Sequence, residues 1–321
     1  MIKKVGILTS GGDAPGMNAA IRAVVRAGLD SGLEMYVIYE GYKGIFDRNI
    51  EKVNRTFVSD IVNRGGTKIG TARFPGMADP EVQKEAARIL REEFQIDALV
   101  AIGGDGTYRG ALALSRNGIK CVGIPGTIDN DIASSDFTIG FFTALQTIVD
   151  CVDKLRDTSS SHKRCSVIET MGRYCGDLAV YAAVATGADI VITRENPMPE
   201  LDLFEQVRLQ TQVEHKRHLI VLVTEHVCDV NELANKITKE CGIEAKAEIL
   251  GRIQRGGTPT AMDRFLGTTM GAKAIDELLN DKTGICIGIL NNQIVSTPIE
   301  EALQMENKPN KVYKHVLQRT R

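Results

Sequence analysis

The sequence predicts an α/β protein whose mostly parallel sheets are covered by helices on both faces and divided between two sheets. Short β-branched runs alternate with longer amphipathic ones along the chain. Most of the short runs are nearly continuous in apolar residues rather than alternating, as strands buried on both faces require. They are also more numerous than one twisted sheet readily holds.

In order, the strand-like runs are Val5–Thr9, Met35–Tyr39, Ala98–Ile102, Cys121–Ile124, Ser166–Ile168, Ile190–Thr193, Leu219–Thr224, Ala247–Leu250 and Ile285–Ile289. Helical periodicity lies between them, as in Asn18–Asp30, Glu81–Phe94, Gly140–Arg156, Leu201–Glu214 and Ala261–Leu279. There is no internal repeat, low-complexity tract or Gly/Ser linker, so the domain boundary must fall in ordinary loops.

Composition narrows the function. The chain has 321 residues, 43% apolar and 25% charged, enough for two domains or one large one with a full core. A net charge of −2 gives no basic field for nucleic acid or an anionic membrane. No apolar run approaches a membrane span, and no signal peptide is expected. The seven cysteines are dispersed without paired spacing, the pattern of reduced thiols in the cytoplasm. The five histidines make no metal-binding pattern, and "EHKRH" reads as a solvated basic cluster.

Ligands of open α/β sheets bind at the carboxyl ends of strands, so the residues just after each run are the informative ones. The first run leads into "TSGGDAPGMN", where Gly11, Gly12 and Gly16 allow a tight turn before a helix. The helix N-terminus beyond them would favour a phosphate, although the pattern equally fits an ordinary strand-to-helix turn. The third run ends in "GGDGT", Gly103–Thr107. Its glycines admit phosphate oxygens, and Asp105 suits Mg²⁺, which takes one or two carboxylates plus substrate phosphates. The alternative, a turn with Asp as a helix cap, does not explain three glycines in four residues. The fourth run ends in "PGTIDND". There Asp129 and Asp131 lie close enough to divide the tasks of meeting a metal–phosphate and accepting a proton from an alcohol. An Asx-rich turn would explain one of these acids, but not three strand ends that all pair glycine with acid. Arg73, Arg164, Arg173, Arg252 and Arg255 stand near glycines or strand ends and supply the complementary charge, in forks suited to phosphate.

Together these residues resemble the ATP-dependent 6-phosphofructokinases of bacteria. The similarity runs through "LTSGGDAPGMNAAIRAVVR", "NRGGT", "TARFP", "IGGDGTY", "PGTIDNDI", "TIGFFTAL", "RDTSSSH", "MGRYCGDL", "TEH" and "LGRIQRGGTPT", essentially the whole chain. "GGDGT" alone is shared with NAD and diacylglycerol kinases, whereas "PGTIDND", "MGRYCGD" and "IQRGG" in this order are specific. The resemblance implies two interleaved Rossmann-like three-layer domains. The larger ATP-binding domain would take residues 1–139 and 252–305, and the smaller sugar-phosphate domain residues 140–251 and 306–321. It implies phosphorylation of fructose 6-phosphate at the 1-hydroxyl by ATP with Mg²⁺.

The resemblance also implies site residues. Gly11, Arg73, Phe74, Gly103, Gly104, Asp105, Gly106 and Thr107 match ATP-binding positions, with Asp105 near the metal. Asp129 matches the base, Thr127 and Asp131 stand beside it, and Arg173 matches the cation on the transferring phosphoryl group. Ile128, Arg164, Met171, Gly172, Glu225, Lys246, Arg252, Ile253, Gln254 and Arg255 match sugar-phosphate positions. In the family, Arg164 and Lys246 reach in from a neighbouring subunit, which implies a homotetramer. Relatives that use pyrophosphate carry Asp at position 106 and Lys at position 126, so Gly106 and Gly126 favour ATP. Lys246 and Arg252 stand where Arg and His are usual, and Lys lacks the two-pronged fork.

An effector site for ADP or phosphoenolpyruvate is likewise implied at Arg22, Arg26, Arg55, Arg156, Gly187, Asp189, Glu214, Lys216, Arg217 and His218. Asp189 replaces a Glu expected to hold the effector's Mg²⁺, and Glu214 replaces a basic residue. A carboxylate beside bound phosphates costs on the order of 1 kcal/mol in a partly solvated site, so weakened effector binding is expected. Two other readings stay open on the residues alone: a regulatory sensor of nucleotide or sugar phosphate, and a lipid or NAD kinase.

Overall fold

A computed structural model of the protein describes residues 2–306 together with Val316 and Arg319. Apart from those two residues, the segment 307–321 assigned above to the smaller domain lies outside the described residues. The elements in chain order are β1 (Lys4–Ser10), α1 (Met17–Asp30), β2 (Glu34–Ile38), α2 (Lys43–Phe46), β3 (Ile50–Val53), α3 (Pro80–Arg88) and β4 (Ala98–Gly103). Next come α4 (Asp105–Arg116), β5 (Lys120–Pro125), α5 (Phe141–His162), β6 (Cys165–Thr170), α6 (Asp177–Thr186) and β7 (Ile190–Ile192). Then follow α7 (Glu200–Arg208), β8 (Leu219–Thr224), α8 (Val230–Cys241), β9 (Ala245–Ile249), α9 (Ala261–Leu279), β10 (Ile285–Leu290), β11 (Gln293–Pro298) and α10 (Ile299–Ala302). The periodic runs Glu81–Phe94 and Leu201–Glu214 each divide into a helix and a wide π turn, Ile89–Glu93 and Leu209–Val213.

Among the described residues up to Glu306 there are two compact units, 2–143 with 255–306 and 144–254, so this part of the chain passes from the first unit to the second and back.

The larger unit holds a seven-stranded sheet in the order β11-β10-β5-β4-β1-β2-β3. Its five inner strands run parallel, and the edge strands β3 and β11 are antiparallel to their neighbours. On one face, Leu8, Leu99, Ala101 and Cys121 pack against Ala86, Ala87, Ala111 and Leu114 of α3 and α4. Helices α1 and α9 pair closely because glycine permits it. A Cβ on Gly267 would lie 2.8 Å from the Gly16 carbonyl oxygen, and one on Gly271 2.8 Å from that of Ala20.

The smaller unit holds a parallel sheet in the order β7-β8-β6-β9. Val167, Ile192, Val221 and Val223 pack on Leu203, Phe204, Leu233 and Ile237 of α7 and α8, and α6 follows directly from the loop after β6.

Two buried acids of the larger unit were not singled out in the sequence. Asp263, fully buried at the start of α9, accepts from Gly140 N at 2.8 Å and Thr143 N at 2.7 Å, fixing the start of α5. Burial pushes its carboxyl upward, against the hydrogen bonds from Thr143 and Gly140. Glu277, also buried, receives Lys282 at 2.6 Å, Lys273 at 2.9 Å and Ser296 at 2.9 Å. Burial alone would raise its carboxyl, but these donors outweigh it and hold the pKa at about 2, below the ordinary 4.5.

Asp263→Ala strands the buried amides of Gly140 and Thr143 and should destabilise the larger unit by about 3 kcal/mol. The urea midpoint checks this, and an unchanged midpoint contradicts it. Glu277 has a lowered folded pKa, so its stabilisation is complete above pH 4.5 and lost as pH falls towards about 2. Glu277→Gln should therefore melt below the wild type at neutral pH, and the two melting temperatures should converge at acid pH.

Candidate active site

In the larger unit the three glycine-and-acid loops emerge side by side. The register aligns Ser10 with Gly103 and Gly103 with Pro125, so β1, β4 and β5 end at one edge. Their junction is tight. A Cβ on Gly103 would lie 2.3 Å from both the Ser10 carbonyl oxygen and Thr107 Oγ1, so only glycine fits. Thr107 donates to Ser10 O at 3.0 Å, and Gly126 N to Gly103 O at 3.0 Å, tying the three loops together.

The loop after β1 turns at Gly11, with φ of 92°, where the left-handed region favours glycine. Gly11 N donates to Ala72 O at 3.4 Å, and Thr71 Oγ1 donates to Gly11 O at 3.0 Å. These bonds bring the exposed Arg73 beside the loop. Phe74 turns away, its ring 5.2 Å from that of Phe46 and packed on the core. Gly104 and Asp105 open α4, whose dipole presents its positive end there. Asp105 lies 4.0 Å from Arg109. A side chain at Gly106 would meet nothing within 4 Å, whereas one at Gly126 would lie 2.9 Å from Ile102 and 3.0 Å from Met17.

The loop after β5 is closely hydrogen-bonded. Thr127 Oγ1 accepts from Asp129 N at 3.2 Å, and Thr138 Oγ1 donates to Thr127 O at 2.6 Å. Asn130, with φ of 53°, accepts from Thr138 N at 3.0 Å. Ile128 is fully buried, so its side chain offers no surface, and Asp131 is half-buried. Asp129 is buried, with its Oδ2 3.9 Å from Nη2 of Arg255. Arg255 lies on Gly12, and its Nη1 donates to Asp13 O at 3.4 Å. It thus links the loops after β1 and β5.

In the smaller unit the carboxyl ends of β6 and β8 carry Met171, Gly172, Arg173 and Glu225. Glu225 Oε1 accepts from Gly172 N at 3.2 Å and Arg173 N at 2.8 Å, and Gln254 Oε1 from Met171 N at 3.0 Å. Gly172 and Arg173 both take positive φ, 139° and 56°, so these side chains hold a bent loop. The Arg173 guanidinium lies 5.6 Å from the Tyr174 ring centre. Gln254 is fully buried beneath the loop, whereas Arg252 and Ile253 are exposed.

Arg164 and Lys246 stand at the opposite, amino end of this sheet. Six strand residues separate Arg164 from Met171, a span of roughly 20 Å at strand rise. There Arg164 Nε donates to Glu244 Oε2 at 2.7 Å, and Lys246 Nζ lies 3.2 Å from Glu244 Oε1. Glu244 carries no local signal in the sequence. The strand begins at Ala245, two residues before the apolar run expected there, and this leaves the alternation of Glu244 and Lys246 hidden.

Of the effector candidates, Arg22, Arg26 and Arg55 belong to the larger unit. Arg22 and Arg26 share one face of α1, and Arg55 pairs with Asp30 at 2.9 Å. The rest lie in the smaller unit. Arg156 donates to Thr186 O at 2.6 Å, next to Gly187. Asp189 is buried, accepting from Lys216 Nζ at 2.7 Å and Ile220 N at 2.8 Å. Burial, then the charge of Arg156, lowers the pKa of His218. Glu214 and Arg217 are exposed.

Among the described residues no three His, Cys, Asp or Glu side chains form a metal-binding group. Among the same residues no helix is long and apolar enough to cross a membrane.

Residues 4–278 match the family model described as phosphofructokinase. Over 311 residues the chain is 52% identical to the ATP-dependent 6-phosphofructokinase of Edwardsiella ictaluri, covering 97% of each. It is 51% identical to that of Serratia proteamaculans, again covering 97% of each. All of it superposes on the phosphofructokinase of Pichia pastoris crystallised in the T-state, with 34% identity and a TM-score of 0.88, and it spans 37% of that longer chain. These matches run through both units and every motif described above, and the chain belongs to the phosphofructokinase family.

Proposed function

We propose that the protein transfers the γ-phosphoryl group of ATP to the 1-hydroxyl of fructose 6-phosphate, forming fructose 1,6-bisphosphate in glycolysis. The observation that carries this reading is the alignment of three glycine-and-acid loops at one edge of a parallel sheet, in a chain 52% identical to an enzyme named for that reaction.

Asp129 is the base. It takes the proton of the 1-hydroxyl as the oxygen attacks phosphorus, with the Arg255 guanidinium 3.9 Å from its carboxyl group. Thr127 fixes its backbone, and Asp131 completes the acidic end of the loop. Gly11, Arg73 and Gly103–Thr107 receive the nucleotide, with the backbone of α4 turned to its phosphates. Mg²⁺ bound with ATP beside Asp105 would neutralise phosphate charge. Arg173 steadies the transferring group, and the hydrogen bonds from its loop to Glu225 and Gln254 fix its position.

Arg164 and Lys246 serve the sugar phosphate of a second copy within a homotetramer. Their distance of roughly 20 Å from Arg173 along one sheet supports this, because no side chain spans it. ADP or phosphoenolpyruvate acts as an effector through a site that includes Arg156, Asp189 and Lys216. Asp189 would have to release Lys216 before it met a metal there, which favours a weak effector response. Seven free cysteines support a cytoplasmic setting.

A coupled assay with fructose 6-phosphate and ATP tests the reading, and absence of turnover sinks it. Asp129→Asn should lower kcat by roughly two orders of magnitude or more with little change in KM. Near-wild-type turnover would remove Asp129 from the role. A Cβ at Gly106 meets nothing within 4 Å, so Gly106→Asp is accommodated by the chain and acts on the bound nucleotide through its charge and bulk. It should raise the KM for ATP by about fivefold or more, and an unchanged KM would refute the assignment of Gly106 to the nucleotide phosphates.

A further inference from the structure

We propose that Glu244 acts as a built-in stand-in for phosphate, occupying Arg164 and Lys246 until a sugar phosphate displaces it and thereby setting affinity for that substrate. The inference rests on the assignment of those two cations to sugar phosphate.

The placement follows from strand register. β6 and β9 pair in parallel with Cys165 opposite Ala245 and Ser166 opposite Lys246. Cys165 N donates to Glu244 O at 2.9 Å, which brings Arg164 beside Glu244. Glu244 and Lys246 are two apart, so their side chains leave the same face of the strand. One carboxylate thus meets a guanidinium through one oxygen at 2.7 Å and an ammonium through the other at 3.2 Å. The Arg164 hydrogen bond, followed by that of Lys246, holds the Glu244 carboxyl below the usual range, so it stays ionised near neutral pH.

The trio carries two positive charges and one negative. A phosphate dianion that takes both cations must compete with the carboxylate already on them, and it is repelled by that carboxylate while it remains nearby. The three side chains are 32%, 46% and 59% exposed for Arg164, Glu244 and Lys246. Solvent-exposed ion pairs are weak, so the carboxylate yields to a ligand rather than closing the site permanently. The strands do not need this contact to pair, because the backbone bond from Cys165 N and the ladder that follows already join them. Glu244 is thus an affinity-setting residue that acts through two cations, not a group that touches reacting atoms.

The test measures the fructose 6-phosphate concentration at half-saturation for wild type and Glu244→Gln in the coupled assay. Removing the carboxylate should lower it roughly two- to fivefold. Inorganic phosphate should become a stronger competitive inhibitor by a similar factor. Both differences should shrink in about 0.5 M KCl, where the Debye length falls to a few ångströms. An unchanged or higher half-saturation value in a variant with wild-type melting temperature would overturn the proposal. Glu244→Ser, which also removes the charge, replaces the glutamine variant if that one fails to fold. If neither protein turns over fructose 6-phosphate, the functional reading has failed. Phosphorus NMR titration of inorganic phosphate then decides the inference separately: tighter binding by Glu244→Gln supports it, and equal or weaker binding overturns it.

Discussion

The alignment of β1, β4 and β5 at their carboxyl ends is the constraint on which the rest of the larger unit depends. Ser10, Gly103 and Pro125 lie in register, so the three loops that follow leave from one line. Gly103 permits this, because any side chain there would collide with the Ser10 carbonyl and the Thr107 hydroxyl. Asp105 and Asp129, 24 residues apart in the chain, therefore sit on neighbouring loops. The flank is held by Asp263, a buried acid that binds backbone amides and contacts no ligand in the reading proposed here.

A second theme is that charges assigned to ligands are already engaged within the chain. Arg255 approaches Asp129, Lys216 binds Asp189, and Glu244 holds Arg164 with Lys246. Each arrangement keeps a cation oriented and lowers the cost of a charge lying partly out of water. Each also means that an anionic ligand exchanges one partner for another. Binding strength at such places reflects a difference between two ion pairs, and small changes in the resident acid can retune it.

The smaller unit shows how sheet direction limits what one chain can do. β6 carries Arg164 before its first residue and Met171, Gly172 and Arg173 after its last. Neighbours in sequence are thereby separated by the full length of a strand. The roles proposed for both ends are compatible only if they serve different ligand molecules, or one ligand reached by two copies.

The sequence by itself determined the alternation of strands and helices, the two-sheet division and the three strand ends that pair glycine with acid. Those signals are local: apolar runs, helical periodicity, and glycine next to acid at strand ends. β3 and β11 were not legible, because these edge strands mix polar with apolar residues, are partly exposed and carry no sustained apolar run. Tertiary structure alone decided the partners of the charged groups. It packed Phe74 against the core, buried Gln254 under the Met171 loop, and put Lys216 on Asp189. It also brought Glu244 to Arg164, 80 residues away in the chain. No local pattern encodes such pairs, since they follow from which strands become neighbours and in what register, and that is settled only when both sheets have formed.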